Sequence, residues 1–308
     1  PYTNTLLVIM KNRFFLLITL LSLFSCISNQ NTEINAIIDS ASKSLKDGHP
    51  TVAVNSLEEA IIKFPQNTEI LYELYFIYND HIKDTNKANG YLKQYCLIKN
   101  SSSCYNQLAY TYELLNNIDS AVVSYKKSIK LDTLNPIPHL ELGVIYKKYF
   151  QNKKLALSHY LKSYELNLIK DYPEKELQFY NNDFSTILYN IGNTYYFLGQ
   201  YNESNQYLFE GLKYKVDKVI MLNSIANNYM RLERPEEALK YYDKTLNADS
   251  TYVYAINGKG NALHTIGETD KACEYWSLAL KKGYNYQEKW LEEYAIIDPN
   301  LLIEENCK

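Results

Sequence analysis

One spacing constrains this chain more than anything else in it. Leu188, Ile191, Gly192 and Tyr195 are followed by Gly199, Ser204, Leu208 and Leu212. Moving on 34 residues gives Leu222, Ile225, Ala226, Tyr229, Ala238, Tyr242 and Leu246. Another 34 gives Ile256, Gly260, Leu263, Gly267, Ala272, Trp276, Ala279 and Leu280. A fixed period of this length means a stacked array of small supersecondary units, because no single unit can bury its apolar face alone. Within a unit the large residues at positions 4, 7 and 11 are three or four apart and share one helix stripe. Small residues at positions 8 and 20 fall where two helices of a hairpin cross: Gly192, Ala226 and Gly260 against Ser204, Ala238 and Ala272. Earlier copies, less regular, cover residues 34–67, 68–101, 102–135 and 136–170, the last with one extra residue in its turn.

The run Tyr189-Asn190-Ile191-Gly192-Asn193-Thr194-Tyr195-Tyr196 resembles the tetratricopeptide repeat, whose signature places a large residue before Leu-Gly, then Tyr, Ala and an aromatic. The resemblance implies an all-α, right-handed α-solenoid of about seven helix hairpins. Repeats 1–4 occupy residues 34–170 and repeats 5–7 residues 185–286. Residues 171–184, with Pro173 and an Asn-Asn-Asp run, do not fit the period; they read as a tolerated insertion in a loop or extended helix end, or as a lip over the groove or a hinge. Residues 287–308 are expected to form a capping helix and tail. Trp290, Leu291, Tyr294 and Ile297 give that helix its apolar side, Asp298-Pro299 ends it, and Leu301 to Ile303 tuck back.

The start of the chain carries a targeting pattern. Met10-Lys11-Asn12-Arg13 precedes an apolar run from Phe14 to Phe24, too short to span a membrane as a mature helix. The alternative is a buried N-terminal helix or a signal anchor. Leu23-Phe24-Ser25-Cys26 resembles a bacterial lipobox, which implies a signal peptide over residues 1–25 with Met10 as the start, an acylated Cys26, and a short tether over 26–33. Ile27 after the cysteine, by analogy with lipoprotein sorting, favours the outer membrane. The expectation is an exported chain, lipid-anchored to the cell envelope.

No phosphate-cradling glycine loop, HExxH, CxxC or nucleophile elbow is present, so the chain reads as non-catalytic and without a cofactor. The five histidines are scattered, none within four residues of another, which gives no metal-ligand spacing. A net charge of −3 offers no case for nucleic acid. With Cys26 acylated, Cys96, Cys104, Cys273 and Cys307 remain, and four cysteines in an exported chain allow two disulfides in three connectivities. Cys96 ends one helix and Cys104 starts the next, so these two can meet across the turn. The run Ala272-Cys273-Glu274-Tyr275-Trp276 with Gly283 and Cys307 resembles an ending of some bacterial repeat proteins. The expected pairs are Cys96–Cys104 and Cys273–Cys307, against the alternative of buried free thiols.

In the repeat family the first helix of each hairpin lines a concave groove. Position 9 supplies Asn193, Asn227 and Asn261, a ladder of amides that can grip an extended peptide backbone, or a feature of the scaffold. Position 5 adds Tyr189, Asn223 and Asn257; positions 12 and 13 add Tyr196, Arg231 and His264. No lysine occupies position 5 in repeats 5–7 and Arg231 stands alone, which speaks against the carboxylate clamp of chaperone-binding members. The expected role is a membrane-anchored scaffold that binds a protein or peptide partner. The alternative is a surface or periplasmic lipoprotein that captures a glycan or peptide on its tyrosine-rich faces.

Overall fold

A computed structural model describes residues 30–169, 177–214, 218–285 and 298–307. Cys26, residues 171–176 and the amphipathic segment 287–297 lie outside the described residues. The described chain is helical: α1 (30–46), α2 (Pro50–Lys63), α3 (Thr68–Phe76, continued by a π-helical turn Ile77–Ile82), α4 (Thr85–Lys99), α5 (Ser102–Leu114), α6 (Ile118–Leu131), α7 (Ile137–Lys148), α8 (Lys153–Ile169), α9 (Leu177–Phe197), α10 (Tyr201–Gly211), α11 (Lys218–Arg231), α12 (Pro235–Ala248), α13 (Val253–Thr265), α14 (Thr269–Lys281) and α15 (Pro299–Asn306). Consecutive pairs from α1–α2 to α13–α14 are antiparallel hairpins. The chain divides into two compact units, residues 1–132 with three hairpins and 133–308 with four.

Each hairpin turns at a residue with left-handed backbone. These are Gly48, Lys83, Asn116, Gln151, Gly199, Glu233 and Gly267, with φ between +51° and +87°. The recurrence explains two local irregularities. The π turn after α3 and the longer turn after α7 each take up one extra residue before reaching the left-handed position. Side chains then cap the following helix: Asp84 accepts from the Lys87 amide, Asn117 from Ser120 and Asn152 from Leu155. Pro50 and Pro235 occupy the first helical position, where no amide hydrogen is needed.

The small residues stand at close crossings. A Cβ on Gly192 would lie 2.7 Å from Leu208 and 3.2 Å from the Ser204 carbonyl; one on Gly260 would lie 2.6 Å from Trp276 and 3.3 Å from the Ala272 carbonyl. Position 24 therefore fills the space above position 8 of its own hairpin. It also reaches forward: Tyr242 rests against Gly258 of the next hairpin, where a Cβ would lie 2.5 Å from its ring. Seven of the 31 tyrosines serve a second repeated contact. Tyr78 stacks on Tyr91, Tyr195 on Tyr207 and Tyr229 on Tyr241, with interplanar angles of 13–18°. Tyr146 stacks on His159 in the same place, at 18°.

Buried polar groups join successive hairpins. Asn228 Nδ2 donates to Ser204 and Asn205, both at 2.8 Å, and Asn89 Nδ2 donates to Thr111 at 2.7 Å. A disulfide joins Cys96 at the end of α4 to Cys104 in the first turn of α5, with Cα atoms 5.5 Å apart. Another joins Cys273 of α14 to Cys307, just after α15, with Cα atoms 5.8 Å apart. The tail after Pro299 is itself a helix, begun by Asp298. Leu302 alone of Leu301–Ile303 is fully buried, packed with Leu263, Ala272 and Trp276, while Leu301 faces solvent. Residues 177–184 continue into α9, which makes that helix 21 residues long.

Candidate functional site

The first helices α9, α11 and α13 neighbour one another in the second unit. They bring together a cavity of about 280 Å³ lined by Tyr189, Asn193, Asn223, Asn227, Asn257 and Asn261, with Tyr252 and Tyr254 at its side. Two rows of side chains, positions 5 and 9 of three hairpins, thus face one space.

The two rows differ in chemistry. The position 9 amides are tied to the scaffold through their oxygens. Asn227 accepts from the Tyr242 hydroxyl at 2.7 Å, Asn261 from the Trp276 indole N–H at 2.8 Å, and Asn193 from the Lys147 ammonium. Oriented in this way, each amide group is fixed by its carbonyl. At position 5 the situation is reversed. Asn223 is 7% exposed and Asn257 3% exposed, yet the Oδ1 atom of each is buried with no hydrogen-bond partner among the described residues. A buried amide oxygen without a donor costs about 1–3 kcal/mol, so a turn of either side chain that brings its oxygen to an N–H or O–H in the cavity is favoured.

Burial raises Tyr252 to about 12, assisted by Tyr189, Tyr254 and Asp249, and burial pushes Tyr242 up as well. Tyr252, Tyr254 and Tyr284 form a chain of edge-on contacts with centroids 5.5 and 5.8 Å apart.

Of the residues the sequence singled out, Tyr189, Asn193, Asn223, Asn227, Asn257 and Asn261 share this cavity. Tyr196 and Arg231 line a neighbouring one, bonded to each other by Arg231 Nε at 3.1 Å from the Tyr196 hydroxyl. His264 lines neither and lies against Trp276 with ring centroids 5.4 Å apart. Arg231 does not stand alone: Lys147, Lys148 and Lys153 of the fourth hairpin share its cavity. The sequence reading also missed a histidine pair, His139 Nδ1 and His159 Nδ1, 3.1 Å apart within the fourth hairpin. Twenty residues separate them, but the hairpin folds α7 back against α8. Among the described residues no group of three or more His, Cys, Asp or Glu side chains could hold a metal ion.

Comparison with known proteins bears on the fold. Residues 102–133 and 185–215 match one tetratricopeptide-repeat family model and residues 220–248 match another. These are α5–α6, the second half of α9 with α10, and most of α11–α12. The chain therefore contains tetratricopeptide repeats, and its fold class is an α-solenoid built from them. It is similar to the TPR repeat-containing protein MJ1428 of Methanocaldococcus jannaschii, 22% identical over 230 residues that cover 72% of this chain and 38% of that protein. The chain thus spans well under half the length of that relative. Among solved structures, the C-terminal part of a TPR repeat-containing protein from Cytophaga hutchinsonii superposes with a TM-score of 0.60 at 17% identity, covering 83% of this chain and 98% of that one. Pseudomonas aeruginosa pilF gives 0.54 at 16%, covering 74% and 96%. YrrB, described as a TPR protein with an unusual peptide-binding site, gives 0.52 at 15%, covering 63% and 93%. At these identities the likeness is one of fold.

Proposed function

We propose that this chain is a non-catalytic interaction scaffold whose α9–α11–α13 cavity holds an extended segment of a partner protein. The observation that carries this reading is the pair of buried, donor-less oxygens of Asn223 and Asn257 beside fixed amides of the position 9 row. A peptide backbone presents N–H groups at intervals, and two acceptors one repeat apart can each take one. Tetratricopeptide-repeat proteins are typically scaffolds for protein partners, which agrees with this reading. The lipobox-like sequence at Cys26 supports an envelope-anchored form of the same scaffold, and Ile27 supports the outer membrane.

The test uses Asn223→Leu and Asn257→Leu. Leucine nearly matches asparagine in shape and removes an unsatisfied polar atom, so folding should be unchanged or slightly stabilised. Partners captured by gentle crosslinking in cells should be lost from these variants while melting stays at or above that of the native chain. Retention of the same partners by a well-folded double variant would rule out the cavity as the site. Anchoring is tested separately: Cys26→Ser should move the chain out of the membrane fraction and abolish acylation detected by mass on the N-terminal peptide. A glycan-capture reading draws on the Tyr252–Tyr254–Tyr284 surface, and binding on a glycan array that Tyr254→Ala removes would favour it instead.

A further inference from the structure

A second cavity of about 1140 Å³ opens where the last turns of α7, α9 and α11 approach the start of α8. Lys147, Lys148, Lys153 and Arg231 line it, and no aspartate or glutamate does among the described residues. In a chain with 35 acidic and 32 basic residues, four cations around one cavity with no acid in its described lining are a local excess.

Helix dipoles explain only part of it. Lys147, Lys148 and Arg231 sit in the last turns of α7 and α11, where a cation is favourable. Lys153 is the first residue of α8, where the dipole disfavours a positive charge. Something other than local helix stability places it there. The floor of the cavity is aromatic. Lys153 Nζ lies 4.9 Å and Lys147 Nζ 5.4 Å from the Phe197 ring centre, and Arg231 lies 5.8 Å from that of Tyr196. Stacking of this kind holds a cation in place while leaving its donors directed elsewhere.

We propose that this cavity binds the acidic side chains of a peptide segment. Ammonium and guanidinium groups around an aromatic floor suit carboxylates, which accept charge-assisted hydrogen bonds from both. The net charge of −3 disfavours a long polyanion, whose many phosphates would meet the acidic remainder of the surface, whereas a short acidic segment brings few charges. Lys147 also donates to Asn193, which lines the asparagine cavity, so the two cavities adjoin. The inference stands independently of what the asparagine cavity holds.

The experiment is fluorescence anisotropy on the full chain with a fluorescein-labelled oligo-glutamate peptide, beside an oligo-glutamine peptide of equal length. The glutamate peptide should bind, the glutamine peptide should not, and affinity should fall with added salt. Lys148→Glu, an exposed position whose change leaves the core alone, should weaken binding about tenfold or more, and so should Lys153→Gln with Arg231→Gln. Arg234→Gln, outside the cavity, should change it little. Equal binding of the two peptides, or undiminished binding by folded Lys148→Glu and Lys153→Gln/Arg231→Gln variants, would overturn the proposal. So would inorganic polyphosphate binding at this site while the glutamate peptide fails to displace it, which would make it a phosphate site.

Discussion

Asn261 accepts the indole N–H of Trp276 at 2.8 Å, and one repeat earlier Asn227 accepts the hydroxyl of Tyr242 at 2.7 Å. The amide ladder is therefore part of the hairpin, fastening position 9 of the first helix to position 24 of the second. Asn261→Ala leaves a buried indole N–H without an acceptor and should cost about 1–3 kcal/mol. Tyr242→Phe should cost about 1 kcal/mol. Leu208 takes the equivalent place in the fifth hairpin and offers no donor, so Asn193, bonded by Lys147, should tolerate alanine better than Asn261. Urea unfolding of the three variants checks the order, and equal losses at Asn193 and Asn261 would contradict it.

The repeat itself was legible because stacking forces the same packing at every copy. The hairpins and the small residues at positions 8 and 20 follow from spacing, whereas the inward row at positions 5 and 9 is what the resemblance to the tetratricopeptide repeat implies. What spacing does not convey is which atom of an amide is engaged. Tyr242 and Trp276 both carry a donor 15 residues after an asparagine, a signal readable only once the two helices are known to face each other. The cations around Arg231 were hidden for another reason. Lys147 and Lys148 stand at positions 12 and 13 of the fourth hairpin as Arg231 stands at position 13 of the sixth, but the interval from 136 to 185 widens to 49 residues and separates them from the regular repeats, and Lys153 lies at neither position. His139 and His159 were likewise too distant along the chain to register as a pair.

Glu233 adopts φ +58° where the corresponding residues of the fifth and seventh hairpins are Gly199 and Gly267. A side chain there strains the backbone by about 1–2 kcal/mol relative to glycine. Glu233→Gly should accordingly raise the melting temperature, and Gly267→Ala should lower it. A lower melting temperature for Glu233→Gly would show that the glutamate side chain makes a compensating contact.

Ala238 is fully buried at the crossing of α11 and α12. Ala238→Leu should destabilise by about 1–3 kcal/mol through overpacking. Gly260→Ala, whose new methyl would lie 2.6 Å from Trp276, should do the same and shift tryptophan emission as the ring is displaced. Unaltered unfolding of Ala238→Leu would contradict the crossing.

His139 Nδ1 and His159 Nδ1 lie 3.1 Å apart, within hydrogen-bond reach, and Tyr146 stacks on His159. Burial first, and then the charge of Lys162, hold His139 below the ordinary histidine value of 6.5. The folded chain thus refuses a proton that the unfolded chain accepts. Stability from this group is complete above about pH 6.5 and falls as the pH drops through the lowered folded value. Thermal melting between about pH 7.5 and 5.5 should show the fall, and His139→Gln should flatten it. The same slope in both proteins would place the titration elsewhere.

A stack of hairpins has no intrinsic reason to stop, since each presents to the next the surface it received from the last. In the sixth hairpin Tyr242 lies against Gly258 of the seventh; in the seventh, the matching Trp276 is met instead by Leu302 of α15, which the Cys273–Cys307 bond holds in place. A further hairpin, or a second copy of the chain, could lengthen the stack at this end only by displacing Leu302 and working around a covalent tie. The disulfide thereby acts as a latch on that face: reducing it should free Leu302 to leave Trp276 and bare the surface that the earlier hairpins present to their successors.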